Sequence, residues 1–234
     1  LAKANNAPVT NRMRPLFAND AEKAEFDERH RRDGIEQGTL EGTSGPLYLG
    51  IDAGSTTIKS VVLDDQDRIV FSTYGSNEGD PVAAAVQIAR QIRAALPDGV
   101  PLIGFAGAPW TVATYMVAGR GTPDQGPARS LAYREPATFD ALIDILTEAT
   151  TAYLLAQVEA GAQVVKLFDS WAGAIPGPLF RRYAVEPARR IARALRAAHP
   201  EVPFIGFPRG AGAGYAGFAE ATGAACVALD TSVD

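Results

Sequence analysis

Past residue 100 the chain repeats one unit: a short run of almost continuous apolar residues, then a longer segment with apolar residues at helical spacing. The runs cover residues 101–105, 164–168, 202–207 and 226–229. Between them lie helical patterns at 139–160, at 186–198 (ending before Pro200) and at 218–222, where Gly223 supplies a stop. Strands without polar alternation are expected where helices cover both faces of a parallel sheet. Strict alternation of strand and helix leaves a β/α barrel or a doubly wound sheet as the architecture. Weak internal similarity agrees: VPLIGFAG (100–107) is echoed by VPFIGFPRG (202–210), and EAGAQVVKLFDS (159–170) loosely by EATGAACVALDTS (220–232).

The first hundred residues keep a different rhythm. Residues 1–46 are polar, with a charged surface helix around Glu22–Asp33 that includes a solvated His30, and a glycine-, serine- and threonine-rich linker over 34–45. Short strands are expected at 47–52, 58–63 and 69–74, the last two joined by an Asp64-Asp65-Gln66-Asp67 turn. A helix over 82–96 stops before Pro97. These elements predict antiparallel hairpins, and three segments follow: 1–46, 47–97 and 98–234.

Composition narrows the function classes. At 234 residues, 47% hydrophobic and 21% charged, the chain can build one large core or two small ones. A net charge of −5 with interspersed signs argues against a nucleic-acid partner, yet local arginines could still dominate a pocket for an acidic small molecule. The one cysteine, Cys226, excludes an internal disulfide or a multi-cysteine metal centre and reads as a buried, inert thiol. Residues 102–119 carry no charge, but Gly104, Gly107, Pro109, Thr111, Thr114 and Tyr115 make them a buried strand, turn and helix start, not a membrane span. The N-terminus lacks the apolar stretch of a secretory signal. A cytoplasmic protein without a membrane partner is the expectation.

Polar groups stand at the C-terminal edge of every run, the rim on which β/α barrels build their sites. GFAGAPWT (104–111) follows the first, with Tyr115 one helical turn beyond Thr111; Asp169 and Ser170 end the second and place a carboxylate and a hydroxyl on one rim. Arg209-Gly210-Ala211-Gly212 ends the third, where Arg209 and free N–H groups suit an anion; Asp230-Thr231-Ser232 ends the fourth. Each has a plainer alternative. Tyr115 fits a core position equally well, Asp169 and Ser170 fit helix caps, and Trp110 and Trp171 fit packing roles. His199, at a helix end, fits a structural one. In the first half, the turn Asp52-Ala53-Gly54-Ser55-Thr56-Thr57 could converge N–H groups and the Ser55 and Thr56 hydroxyls on a phosphate, with Asp52 holding Mg²⁺ or its waters and Lys59 reaching the anion. A tight hairpin with a polar tip is the alternative.

From about residue 100 to 234, the motifs GFAGAPWTVATYMVAGRGT, LFDSWAG, IGFPRGAG and ALDTSVD resemble the uroporphyrinogen decarboxylase family. The resemblance implies a partial (β/α)₈ barrel of four parallel units, corresponding to strands three to six. It also implies a cofactor-free lyase that removes the acetate carboxyl groups of uroporphyrinogen, a tetrapyrrole, to give coproporphyrinogen in haem synthesis. Tyr115 and Ser170 match the family's substrate-contacting tyrosine and serine. The family's M-R-Q-A-G-R segment, the aspartate of its F-S-D motif and its last-strand histidine have no counterpart here, so the catalytic residue stays unassigned and activity is expected to be impaired.

Residues 15–97, through FANDAEKAEFDERHRRD and SGPLYLGIDAGSTTIKSVVLDDQDRIVFSTYGSNEGDP, resemble instead the activators of 2-hydroxyacyl-CoA dehydratases and benzoyl-CoA reductases, members of the actin-like ATPase superfamily. That resemblance implies an antiparallel hairpin unit in which Asp52, Gly54, Ser55, Thr56 and Lys59 contact ATP phosphates, with weak Mg-ATP or phosphate binding. The superfamily's second phosphate loop, its adenosine loop and the activators' cluster cysteines have no counterpart. Three readings stand: a decarboxylase-like chain with a foreign N-terminal segment, an ATP-dependent activator, or an inactive chimeric or misjoined chain. A half barrel would leave strand edges and an apolar face open, which predicts a homo-oligomer or cover from the N-terminal hairpins.

Overall fold

Two sheets of opposite kind organise the chain. The computed structural model describes residues 15–32, 34–41, 43, 45–53, 57–76, 79–96 and 99–231. Helix α1 (Asp20–Arg32) precedes an antiparallel sheet of β1 (Tyr48–Ala53), β2 (Thr57–Leu63) and β3 (Ile69–Ser76), in that order. The β2–β3 turn is built on Asp64. Its buried carboxylate accepts the backbone N–H groups of Gln66 at 3.0 Å and Arg68 at 2.9 Å, and the Arg68 Nε at 2.8 Å. The stretch expected as a free linker joins this sheet. Gln37 bridges Ile69 in parallel, and the Gly38 N–H donates to the Ile69 carbonyl at 2.8 Å.

Helix α2 (Pro81–Ala95) starts where the Asp80 carboxylate accepts the Ala83 N–H at 2.9 Å. Its buried face, Ala85, Ile88, Ala89 and Ile92, packs with Ile58, Val62, Val70, Leu102 and Ala160. Arg93 reinforces the joint, its Nη1 donating to the Val100 carbonyl at 2.6 Å and to Gln163 Oε1 at 2.9 Å.

The second sheet holds β4 (Ile103–Gly107), β5 (Val164–Asp169), β6 (Phe204–Pro208) and β7 (Cys226–Val227), all parallel and in chain order. Helices α3 (Pro109–Ala118), α4 (Gly126–Arg134), α5 (Pro136–Glu159), α6 (Gly177–Phe180), α7 (Glu186–Ala198) and α8 (Phe218–Thr222) separate the strands. Ala106, Val165, Leu167 and Phe204 meet Leu154, Ile191, Leu195 and Phe218 in one core. Ion pairs Arg182–Asp140 and Arg190–Asp144 join the α7 side to α5. A Cβ on Gly206 would stand 2.6 Å from Phe218, so a glycine is what lets α8 lie on the strand. Among the described residues, α5 is long and apolar enough to cross a membrane, but its Phe139, Ile143, Leu146 and Leu154 are buried in the core, as in core helices that pass the same test.

Three expectations need correction. Helices cover only one face of the parallel sheet; on the other, Ile103 and Phe105 remain 48% and 47% exposed. The antiparallel unit does not cover that face, because α2 packs instead beside Leu102 and Ala160, at the end of the sheet opposite the rim. Cys226 is exposed, since β7 is a two-residue strand at the sheet's edge. Helix α4 was not foreseen: it buries only Ala128 and Ala132, too little apolar periodicity to read.

The free edge of β4 is closed by a side chain. Leu102 and Ala108 bond toward β5, so alternation turns the backbone of Phe105 outward. Gln157 on α5 accepts the Phe105 N–H and donates to its carbonyl, both at 2.9 Å, in space left by the missing side chain of Gly104. Gln157→Leu should lower stability by about 1–2 kcal/mol and speed hydrogen exchange at the Phe105 amide; unchanged exchange there would contradict this role.

Candidate functional site

The rim is assembled where the ends of β4 and β5 meet. The Ala108 N–H donates to the Phe168 carbonyl at 2.8 Å, and Pro109 opens α3 immediately after. Trp110 is fully buried against Phe139 and Tyr183, and its indole N–H donates to the Trp171 carbonyl at 3.0 Å. One residue on, the Thr111 hydroxyl donates to Asp169 Oδ1 at 2.7 Å and accepts the Trp171 N–H at 3.3 Å. The Trp171 indole N–H then donates to the Tyr115 hydroxyl at 3.2 Å.

Tyr115 is therefore not a core tyrosine. It is 45% exposed and sits on the same rim as the Ser170–Trp171 strand end. Asp169 departs from expectation. Strand alternation turns it away from the rim, to the helix-covered side, where it is only 5% exposed. Burial pushes its carboxyl up to about 7, with the Thr111 hydrogen bond opposing the shift.

Beside the rim lies a cavity of about 530 Å³, lined by Ser170, Trp171, Arg209, Gly210, Asp230 and Arg129. The turns after β5 and β6 touch: the Gly173 N–H donates to the Arg209 carbonyl at 2.9 Å, and a Cβ on Gly173 would lie 2.6 Å from the Gly210 carbonyl oxygen. Gly210 itself has φ +71°, a left-handed conformation. Asp230 accepts the Gly210 N–H at 2.5 Å and the Tyr215 hydroxyl at 2.7 Å. Arg209 is exposed and, among the described residues, its guanidinium has no ion pair or hydrogen bond. Arg129, on the unforeseen α4, carries no sequence signal; its Nε is buried without a partner.

The uncovered face adds an aromatic row that sequence reasoning also missed. Phe168 meets Phe105 and Phe207 edge to face, with centroids 5.8 and 5.7 Å away, and the Lys166 ammonium lies over Phe168 and Phe207 at 4.5 and 5.0 Å. Alternation along β5 is what sets this lysine among the rings.

At the N-terminal hairpin, Asp52 and Lys59 are register partners across β1 and β2, and the Lys59 ammonium lies 5.8 Å from the Tyr74 ring centroid. Gly54, Ser55 and Thr56 lie outside the described residues. Among the described residues no three histidine, cysteine or acidic side chains gather as a metal site.

A family model for uroporphyrinogen decarboxylase (URO-D) matches residues 48–234. The chain belongs to the uroporphyrinogen decarboxylase family. The matched segment takes in both sheets, including the antiparallel unit. The chain is similar to uroporphyrinogen decarboxylases of Ruegeria pomeroyi (67% identity over 59% of this chain and 40% of the relative) and Paracoccus denitrificans (62% over 66% and 45%). One from Cereibacter sphaeroides is 54% identical over 80% of this chain and 56% of its own length. The chain thus spans about half the length of these relatives. Among solved structures, a methyltransferase from Methanosarcina mazei aligns over 77% of this chain and 59% of its own at 17% identity, with a TM-score of 0.49, too low to bear on the fold.

The Asp169 carboxyl gives this URO-D segment a testable pH dependence. Its pKa is raised from 3.8 in the ordinary range to about 7 on folding, so its stabilising contribution is full below about pH 4 and is lost as pH rises through 7. Between pH 4 and 8 the wild-type urea midpoint should fall, and Asp169→Asn should remove most of that fall, on the order of 4 kcal/mol. An equal pH dependence in the variant would contradict the assignment.

Proposed function

We propose that this chain carries the central, substrate-facing part of a uroporphyrinogen decarboxylase barrel and binds uroporphyrinogen there. The observation that carries the reading is the junction that sets the Tyr115 hydroxyl beside the Ser170–Trp171 strand end, at the C-terminal rim of a parallel sheet. In this reading Tyr115 and Ser170 contact the tetrapyrrole, whose apolar macrocycle lies toward Phe105, Phe168 and Phe207. Arg209, exposed at the cavity, meets one of its carboxylates. The family name supports a tetrapyrrole as ligand and a reaction needing no cofactor. The protein is assigned to the cytoplasm, with no nucleic-acid or membrane partner.

Loss of carbon dioxide leaves an electron pair that a protonated pyrrole must accept, and a nearby carboxylate stabilises that cation. Asp169 cannot serve, because it faces the helices. Without a preorganised charge-stabilising group the rate should fall by roughly 10²–10³ or more. An anaerobic assay following uroporphyrinogen to coproporphyrinogen should therefore show binding with little or no turnover, and Ser170→Ala or Arg209→Ala should weaken binding about tenfold. Turnover at the rate of a complete family enzyme would overturn the assignment of roles.

A second reading concerns the N-terminal hairpin, favoured by the register that sets Asp52 opposite Lys59. We keep the division at residues 97–98, between the antiparallel sheet that ends at Ser76 and the parallel sheet that begins at Ile103, and expect weak phosphate or Mg-ATP binding but no ATP turnover from an activator-type hairpin. Steady ATP hydrolysis abolished by Asp52→Ala would promote the activator reading. Self-association over the uncovered face belongs to the same proposal, and a stable monomer in light scattering would remove it.

A further inference from the structure

Behind the rim stands a group with no part in the contacts proposed so far. Asp169 points to the helix-covered side of β5, yet its carboxylate begins a chain of hydrogen bonds that ends at the Tyr115 hydroxyl. A threonine hydroxyl has one proton. While Asp169 is ionised it accepts the hydrogen bond of that proton, and the Thr111 oxygen is left to accept the Trp171 N–H. Trp171 is held a second time by Trp110, which donates to its carbonyl, and its own indole donates to Tyr115.

We propose that Asp169 is a positioning residue of the rim: acting through Thr111 it fixes Trp171, and through Trp171 it fixes the Tyr115 hydroxyl and the Ser170 strand end. The inference deepens the tetrapyrrole reading and rests on it for what the rim binds, although the mechanical link itself does not. When Asp169 is protonated, its O–H donates to Thr111, and the charge-assisted bond that anchored the threonine becomes a weaker neutral one, with the threonine oxygen still accepting the Trp171 N–H. The lock on Trp171 then loosens.

The surroundings make this carboxyl the sensitive member. Burial raises it to about 7, and Thr111 is the one neighbour whose hydrogen bond opposes that shift. Arg209 donates its backbone N–H to the Asp169 carbonyl at 3.1 Å, but its guanidinium is exposed at the cavity, and Lys166 lies on the opposite face of β5 over the phenylalanine rings. Neither is among the influences on the carboxyl. On the helix-covered side α3 faces it with the neutral, buried Thr111, the one side chain that hydrogen-bonds its carboxylate.

The two tryptophans give a direct readout, because Trp110 is fully buried and Trp171 half-buried at the rim. Tryptophan emission of the whole chain, recorded without ligand from about pH 5 to 9, should show one transition with a midpoint near the Asp169 value of about 7. Trp171→Phe and Asp169→Asn should each abolish it. Thr111→Ser, which keeps the hydroxyl, should retain the transition, whereas Thr111→Val should lose it; this pair decides the matter if Asp169→Asn fails to fold, with circular dichroism checking each variant. A transition of unchanged midpoint in Asp169→Asn would overturn the proposal, as would one that survives in Trp171→Phe or in Thr111→Val. Because no ligand is present, failure here and failure to bind uroporphyrin are separate results.

Discussion

The hydrogen bond from the buried Trp110 indole to the Trp171 carbonyl fixes how the ends of β4 and β5 meet, and the rim is organised around it. Trp110 can make that bond because Phe139 and Tyr183 hold its ring in the core between α3, α5 and the segment before α7. A buried indole N–H without a partner would cost on the order of 1–3 kcal/mol, so ring packing and strand-end geometry stabilise each other. Once Trp171 is placed, its own indole reaches Tyr115, and Ser170 is carried to the cavity mouth as its chain neighbour.

The parallel sheet supplies the frame and also the asymmetry. One face is filled by α5, α7 and α8, with Gly206 admitting Phe218 and Gly104 admitting Gln157. The other face keeps an aromatic row and a lysine open, as expected of a sheet that lines the inside of a larger barrel. Gln157, by pairing with the Phe105 backbone, occupies hydrogen-bonding positions that a neighbouring strand would otherwise use.

Much of this is legible in the amino-acid sequence. The four apolar runs, the 186–198 helix and the antiparallel hairpins follow from local periodicity and turn chemistry, which act over a few residues. The pairing of Tyr115 with the Ser170 strand end was approached through motif placement. Its agent, Trp171, was read only as packing, because an indole N–H contact across 56 residues leaves no local trace. Asp169 was placed on the wrong side: a residue at a strand end has its facing set by register with neighbouring strands, not by the polarity of the tripeptide. The open face was hidden because an apolar run looks the same whether its second face meets helices or a barrel interior.

The central claim is that Trp171 couples the two halves of the site. A double-mutant cycle on uroporphyrin binding with Tyr115→Phe and Trp171→Phe tests it most directly. If the indole acts through the tyrosine hydroxyl, the double variant should bind no more weakly than the worse of the two single variants, a coupling of about 0.5–3 kcal/mol. Losses that simply add would mean that Tyr115 and Trp171 act independently, and would contradict the account.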